Sequence, residues 1–128
     1  MRLSLWPLCW GAAALLTSCS GGTTGPTAAV LNVRFSSPTL DDGAVLFTIA
    51  GGPVESVEAV GHAVYSARPD ANTLRIIVAG DLSSGTIARI RIPDRDQAAR
   101  YSITVSDVAS RATHVERDPA AYGMSLKE

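Results

Sequence analysis

Apolar and polar residues alternate with a period of two along much of the chain beyond residue 28. In residues 31–35 three apolar side chains alternate with two polar ones, which predicts a strand with one buried face. The alternation recurs in residues 86–92, where Ile90 is expected to point inward and Arg89 and Arg91 outward. Both segments are typical of strands that lie between a hydrophobic core and water.

The rest of this region has the same character. Further strand-like segments cover residues 44–49, 54–60, 62–67, 73–79, 101–105 and 122–126. Residues 44–49 are apolar at both sets of alternating positions, which favours a central strand. Turns are predicted at residues 68–72 and 83–85, and strands are expected to end at residues 51–53 and 80–81. Residues 97–99 fit a single helical turn, and residues 108–116 fit either a continued strand or a polar loop.

The spacing of these segments predicts the fold class. No long window has apolar residues at i, i+3, i+4 and i+7, so an amphipathic helix is not expected. Short strands with turn signals about every ten residues predict an all-β fold, a single antiparallel β-sandwich of about 7–9 strands. A small β-barrel is the alternative.

The first nineteen residues have a different pattern. Arg2 precedes an apolar run over residues 3–16, which is shorter than the roughly 20 apolar residues of a membrane-spanning helix. Leu16, Thr17, Ser18 and Cys19 follow. Small residues before a cysteine are consistent with a secretory cleavage site, here between Ser18 and Cys19. An ordinary secretory signal and an uncleaved anchor are the alternatives.

Residues 16–19 resemble the lipobox of bacterial lipoproteins, in which the cysteine thiol takes a diacylglyceryl group as a thioether. The resemblance implies a signal peptide over residues 1–18. It also implies a lipidated Cys19 with a flexible Gly/Thr/Pro tether over residues 19–29, and a domain over residues 30–128. The expected location is the cell envelope, where the lipid on Cys19 holds the protein to a membrane, expected to be the outer membrane. The domain then faces the periplasm or the cell surface.

Charge and cysteine content argue against several classes of partner and site. The chain has 11 basic and 12 acidic residues, and this balance argues against a nucleic-acid partner, which needs a clustered basic surface. Cys9 is expected to leave with the signal and Cys19 to carry lipid. The mature domain is therefore expected to have neither a disulfide nor a thiolate metal site.

Residues 73–108 look like the later strands of cohesin-type sandwiches. The resemblance rests on an apolar strand at 74–80, a Gly-containing turn into a Thr-Ile-Ala strand at 84–90, and a strand ending near Asp and Val at 101–108. It implies an immunoglobulin-like sandwich and an adhesion or docking role. Residues 54–65 depart from the family pattern, so no binding residue is assigned from it.

No catalytic, cofactor or metal site is predicted. His62 and His114 stand alone, without the spacing of a metal site. The carboxylates of residues 94–96 lack the glycine and glutamate of a calcium loop, and residues 41–43 fit a turn. The serines of residues 83–85 lack the Gly-x-Ser-x-Gly frame of a hydrolase nucleophile. Nothing distinguishes the glutamates, so the protein is predicted not to be an enzyme.

The aromatic residues bear on carbohydrate binding. Sugar-binding sandwiches stack sugar rings on exposed tryptophan or tyrosine. Phe35, Phe47 and Tyr101 fall on predicted core faces, which leaves Tyr65 and Tyr122 as candidates. A concave groove lined by either tyrosine would favour a ligand, whereas a flat face with an unprotected edge strand would favour protein contact.

The outward arginines permit one further hypothesis. Arg75, Arg89 and Arg91 would form a basic stripe for an anion if their strands were neighbours. The alternative is a charged outer face that prevents sheets from pairing with one another. The sequence thus predicts a lipid-anchored structural or protein-interaction module, with carbohydrate or a small anion as the alternative ligand.

Overall fold

The computed structural model describes residues 25–128, so the predicted signal peptide, the cleavage site and Cys19 lie outside the described residues. The described residues form two antiparallel sheets packed face to face. The strands are β1 (Ala29–Ser36), β2 (Asp42–Ala50), β3 (Ser56–Ala59), β4 (Ala63–Asp70), β5 (Thr73–Leu82), β6 (Gly85–Ile92), β7 (Ser102–Ser110), β8 (Glu116–Arg117) and β9 (Gly123–Lys127). The prediction of an all-β sandwich is confirmed.

Most strands that are neighbours in sequence lie in different sheets, whereas β4 and β5, and β7 and β8, pair with each other. One sheet has four strands in the order β3-β6-β1-β9, and the other has five in the order β4-β5-β2-β7-β8. The strand β2 pairs with both β5 and β7, so residues 44–49 form a central strand as predicted. Residues 73–108 therefore contribute β5 and β7 to the five-stranded sheet and β6 to the other.

The core lies between the sheets and is built from the inward set of alternating residues. The largest fully buried side chains come from both layers: Phe47, Ile49, Leu74, Ile76, Leu82, Ile87, Ile90, Ile92, Val33, Val45, Val78 and Val108. Ile90 is 1% exposed while Arg89 and Arg91 face water, which confirms the predicted register of β6. Because successive side chains on a strand point to opposite faces, this register decides which residues remain outside.

The strand β5 continues through Gly80, beyond its predicted end. The strand end expected at residues 80–81 is instead an irregularity within the strand, because Asp42 pairs with Leu82 while Ala44 pairs with Ala79, and the chain turns after Leu82. Gly80 has φ 152°, a conformation that a side chain would strain, and a Cβ there would lie 2.8 Å from Nδ1 of His62. An extra residue opposite a regular strand forms a β-bulge, in which glycine is favoured.

The edge strand β4 is also longer than predicted. The expected turn at residues 68–72 shrinks to Ala71 and Asn72, and the strand continues through Pro69 to Asp70. Proline cannot donate a ladder hydrogen bond, but an edge strand tolerates it where its register is irregular, as it is between Ala67 and Asp70.

The remaining differences are local. Of the alternatives for residues 108–116, β7 continues to Ser110, a turn follows, and the two-residue β8 pairs back on β7. The predicted helical turn is a 3₁₀ helix at Arg95–Arg100. No helix within residues 25–128 is long and apolar enough to cross a membrane.

The folded part begins slightly before residue 30. Ala29 is the first residue of β1 and is buried, and the carbonyl of Thr27 accepts a hydrogen bond from the Arg95 amide. The last residues of the expected tether are therefore held against the domain.

Candidate functional site

The outer surface of the five-stranded sheet is apolar across four strands. Ala63, Ala79, Ala44 and Ala109 lie side by side in the registers of β4, β5, β2 and β7. Alanines expose little side chain, so this row forms a flat floor. Glu116 on β8 pairs with Ala109 and ends the row with a carboxylate.

The adjacent row carries larger side chains. Tyr65, Ile77, Leu46 and Asp107 are paired in turn across the same four strands. Tyr65 is 66% exposed and Ile77 is 41% exposed, and Leu46 is partly covered. We call these two rows together the apolar face: Ala63, Ala79, Ala44 and Ala109 with Tyr65, Ile77 and Leu46.

The apolar face is unusual for a two-layer sandwich. Antiparallel sheets with one face in water normally alternate apolar residues inside with polar residues outside. Here the residues of β2 that point away from the core include Ala44 and Leu46, which are apolar. Exposed contiguous apolar surface of this kind marks interaction sites more often than isolated exposed residues do.

Shallow depressions run along this surface. One of ≈ 340 Å³ is lined by Leu46, Tyr65, Ile77 and Arg75 among others. A second of ≈ 430 Å³ lies over the alanine row and reaches His114. Both are depressions in a sheet surface, in contrast to the enclosed pockets that usually bury small molecules.

Charges lie at opposite borders of the apolar face. Arg75 is exposed on β5, in the row beyond Ile77, and has no ion-pair partner among residues 25–128. Asp107 and Glu116 lie next to each other on the β7–β8 side. A hydrogen bond with Asp107, together with the negative charge of that residue, raises the pKa of Glu116 above its ordinary value.

The outer surface of the four-stranded sheet is mostly polar and charged, and Val30, 42% exposed, is an isolated apolar residue on it. Arg91 pairs with Glu55 at 3.0 Å, and Arg89 donates to the side-chain oxygen of Asn32 at 3.3 Å. This is the outer face that the period-two pattern predicts, and its cations partly neutralise its carboxylates.

The basic-stripe hypothesis is wrong. Arg75 lies on β5 in the five-stranded sheet, whereas Arg89 and Arg91 lie on β6 in the four-stranded sheet. All three point into water, but on opposite sides of the sandwich. Alternation predicts the side of a strand on which a residue lies, but not the sheet that the strand joins.

A buried carboxylate closes one end of the sandwich. Asp42, at the start of β2, is 0% exposed. Its oxygens accept hydrogen bonds from the hydroxyls of Ser37, Thr39 (3.2 Å) and Tyr122 (2.8 Å). Arg117 brings its Nε to within 3.9 Å of the same carboxylate. The segment expected to be a simple turn therefore carries a residue that holds both layers together.

The charged and polar groups around Asp42 stabilise the fold. Burial raises the pKa of Tyr122, and the hydrogen bond to Asp42 raises it further, so the phenol remains a proton donor. Arg117 also pairs with Asp41 at 3.5 Å. Because the hydroxyls and the arginine already occupy the carboxylate, a catalytic role for Asp42 is not favoured.

The other residues considered for chemistry lie apart from one another. His62 packs beside Gly80, while His114 lies in the turn after β7 with φ 55°. Asp94 caps the 3₁₀ helix by accepting from the Asp96 amide, and Ser84 accepts from the Ser37 amide at 2.9 Å. Within residues 25–128 no group of three or more His, Cys, Asp or Glu residues could hold a metal ion.

The aromatic residues divide as the pattern predicts, except for Tyr122. Phe35, Phe47 and Tyr101 are buried, and Tyr122 joins them with its ring stacked on Phe35 at 5.7 Å between centroids. Tyr65 is the tyrosine that faces water, in the ≈ 340 Å³ depression.

The apolar face is not among the features predicted from the sequence. Its signal is present in residues 44–49, where both sets of alternating positions are apolar. That pattern predicts a central strand, which the pairing of β2 with β5 and β7 confirms. In a two-layer fold, however, even a central strand has one side in water. Burial in the core therefore does not explain why outward-facing Leu46 is apolar.

Comparison with known proteins adds no identity. The chain matches no protein-family model, no curated protein and no solved structure. The function has to be argued from the geometry of the described residues.

Proposed function

We propose that this protein is a lipid-anchored module of the cell envelope that binds another protein and catalyses no reaction. The apolar face is the single observation that carries the interaction role. It spans four strands, includes exposed Tyr65 and Ile77, and has charges at its borders. Water contact with such a surface is unfavourable, and a protein partner that covers it gains the hydrophobic contribution.

The shape of the surface favours a protein over a small molecule. Small-molecule sites are concave and bury most of the ligand, whereas protein interfaces are broader and flatter. Tyr65 lines a shallow depression, and Tyr122, the other tyrosine considered for a sugar platform, is 9% exposed. The likeness of residues 73–108 to cohesin-type sandwiches agrees with a docking role.

The anchor is proposed from the leader sequence. Arg2, the apolar run over residues 3–16 and the tetrad ending in Cys19 support lipidation. The seven residues between Cys19 and Thr27 would, as a flexible coil, reach roughly 13–16 Å. The domain would thus be held close to the membrane.

Fractionation tests the anchor. Each buried CH₂ contributes about 0.8 kcal/mol to membrane binding, so two or more acyl chains hold a protein where one chain does not. Cys19→Ala is expected to move the processed protein from the membrane to the soluble fraction. Equal membrane retention of the wild type and a mature-size Cys19→Ala variant would contradict lipid anchoring.

Photo-crosslinking in intact cells tests the interaction role. A photoreactive amino acid at Ile77 is expected to give a discrete crosslinked species. The same amino acid at Val30, which is 42% exposed on the outer side of the other sheet, is the matched control and is expected to give much less. Absence of a crosslink from position 77, or equal crosslinking from both positions, would contradict the assignment of the apolar face.

A small anionic ligand is the second candidate function. A depression of ≈ 530 Å³ on the four-stranded sheet is lined by Arg34, Lys127, Ser36 and Ser125 among others. Neither Arg34 nor Lys127 has an ion-pair partner within the described part of the chain. Calorimetric titration with inorganic phosphate checks this candidate: it predicts binding that Arg34→Ala removes.

A further inference from the structure

We propose that the partner of the apolar face is the same face of a second copy of this chain, related to the first by a two-fold axis that lies in the interface. The inference deepens the proposed function and rests on it. An isologous interface requires a self-complementary surface, so that each residue meets a suitable counterpart when the surface is turned onto itself.

The positions of the charged residues meet this requirement. Take the midpoint between Leu46 and Ile77, which are paired at the centre of the face. With strands about 4.8 Å apart and residues about 3.4 Å apart, Arg75 and Asp107 each lie about 7 Å from that midpoint. A two-fold axis that passes through the midpoint and bisects the angle between the directions to Arg75 and to Asp107 therefore exchanges these two residues. Each arginine then faces the carboxylate of the other copy, and the dimer contains two such pairs.

The same axis matches a large side chain with a small one. Tyr65 lies at the opposite end of the row from Asp107, and Ala44 lies diagonally opposite Arg75 on the paired strands β2 and β5. The rotation that exchanges Arg75 and Asp107 therefore also exchanges Tyr65 and Ala44. The exposed ring of each copy is placed over the alanine floor of the other, where no larger side chain obstructs it.

Charge complementarity favours a second copy over an unrelated partner. Arg75 lacks an ion-pair partner within residues 25–128, and the Asp107–Glu116 pair has a surplus of negative charge on the same face. Two like charges held together repel each other, and a nearby cation relieves that repulsion. The same surface thus carries a cation and a carboxylate that can pair with each other between two copies.

The size of the surface predicts a weak dimer. Four strands and three rows of residues cover on the order of 400 Å² per copy. A standard stable interface buries about 800 Å² per partner. Association is therefore expected to be transient for the protein in dilute solution. Confinement of both copies to one membrane raises their effective concentration and favours the pair.

Crosslinking of the full chain in its membrane gives the test. The processed Ile77→Cys protein is treated with a short bismaleimide, and Val30→Cys, at a position that is 42% exposed on the other sheet, is the matched control. A crosslinked dimer is expected from position 77 and not from position 30. A single charge reversal, Arg75→Asp or Asp107→Arg, is expected to lower the dimer fraction about tenfold, which corresponds to about 1.4 kcal/mol. The double variant is expected to restore it.

The outcomes separate the two proposals. A dimer that is lost with each single reversal and recovered in the double variant supports the two-fold pairing. Failure of the double variant to recover the dimer, when circular dichroism shows all variants folded, overturns it. If photo-crosslinking from position 77 captures a different protein and no self-crosslink forms, the dimer is excluded while the interaction role stands. If position 77 captures nothing, both proposals fail.

Discussion

The two outer faces of this sandwich meet the same solvent with different side chains. On the four-stranded sheet, arginines, glutamates and serines alternate with core residues, Arg91 pairs with Glu55, and exposed Val30 is an isolated apolar residue. On the five-stranded sheet, alanines, Leu46, Ile77 and Tyr65 occupy the equivalent outward positions. Both sheets share one core, so the stability of the core explains neither face. Folding alone does not account for the apolar side chains of the second face, and the proposed contact with a partner would account for them.

The largest expected effect is the difference in stability loss between a substitution in the core and one on the apolar face. Ile90 is 1% exposed and Ile77 is 41% exposed, although both are isoleucines on strands. Removal of a buried isoleucine side chain costs about 2–5 kcal/mol, and a buried carboxylate adds a desolvation penalty. Since total stability is about 5–15 kcal/mol, Ile90→Asp is expected to prevent folding. Ile77→Asp is expected to cost less than about 1 kcal/mol.

Urea denaturation of both variants measures this difference. A loss for Ile77→Asp as large as that for Ile90→Asp would mean that Ile77 contributes to the core, and the apolar face would need no partner.

The next effect concerns the end of the strand that carries Ala44 and Leu46. Asp42→Ala leaves the hydroxyls of Ser37 and Tyr122 without their buried acceptor. Loss of such a partner is expected to cost about 2–4 kcal/mol. The matched variant Tyr122→Phe removes one donor and is expected to cost about 1 kcal/mol. Thermal unfolding checks both, and equal stability of Asp42→Ala and the wild type would show that the buried network is dispensable.

On the polar face the expected changes are small. Arg89→Ser and Arg91→Ser are each expected to change stability by no more than about 0.5 kcal/mol, because exposed ion pairs contribute little. The ion pair between Arg91 and Glu55 has both side chains about half exposed, at 54% and 46%. A loss above about 1 kcal/mol for either variant in a urea melt would mean that the face has a tighter structural role.

The smallest effect is a pH dependence at the border of the apolar face. Asp107 raises the pKa of Glu116, so the folded protein binds a proton at Glu116 more readily than the unfolded chain does. Tighter proton binding stabilises the folded protein at low pH. This stabilisation is lost as the pH rises from the ordinary glutamate pKa through the raised one. Asp107→Asn is expected to lower the pKa of Glu116, as measured by NMR titration of its side-chain carboxyl carbon. An unchanged pKa would show that the two carboxylates do not interact.

Much of the fold follows from local pattern, and particular residues show where that information ends. The alternation around Ile90 and Arg89 predicted the correct inward and outward sides because side-chain direction is a property of one strand. Gly80 was predicted to end β5, but glycine serves a bulge as well as a turn, and only the pairing with β2 distinguishes the two.

The candidate site was harder to predict because it depends on strand order. The rows that define the apolar face join residues from four strands that are distant in sequence. Tyr65, Leu46 and Asp107 come to lie in one row only through the order β4-β5-β2-β7. The same lack of long-range information led Arg75 to be grouped with Arg89 and Arg91. The lipid anchor, by contrast, rests on contiguous residues and stays a prediction of the leader sequence.

Chemical modification of tyrosine tests most directly whether the apolar face is covered in the envelope. Tyr65 is 66% exposed, while Tyr101 and Tyr122, at 9% each, serve as internal references. Nitration followed by mass spectrometry is compared between intact membranes and dilute purified protein. If a partner covers the face, Tyr65 is protected in membranes and reacts in dilute solution, and the two references react slowly in both. Equal modification of Tyr65 in both preparations would contradict the assignment of the apolar face as the binding surface.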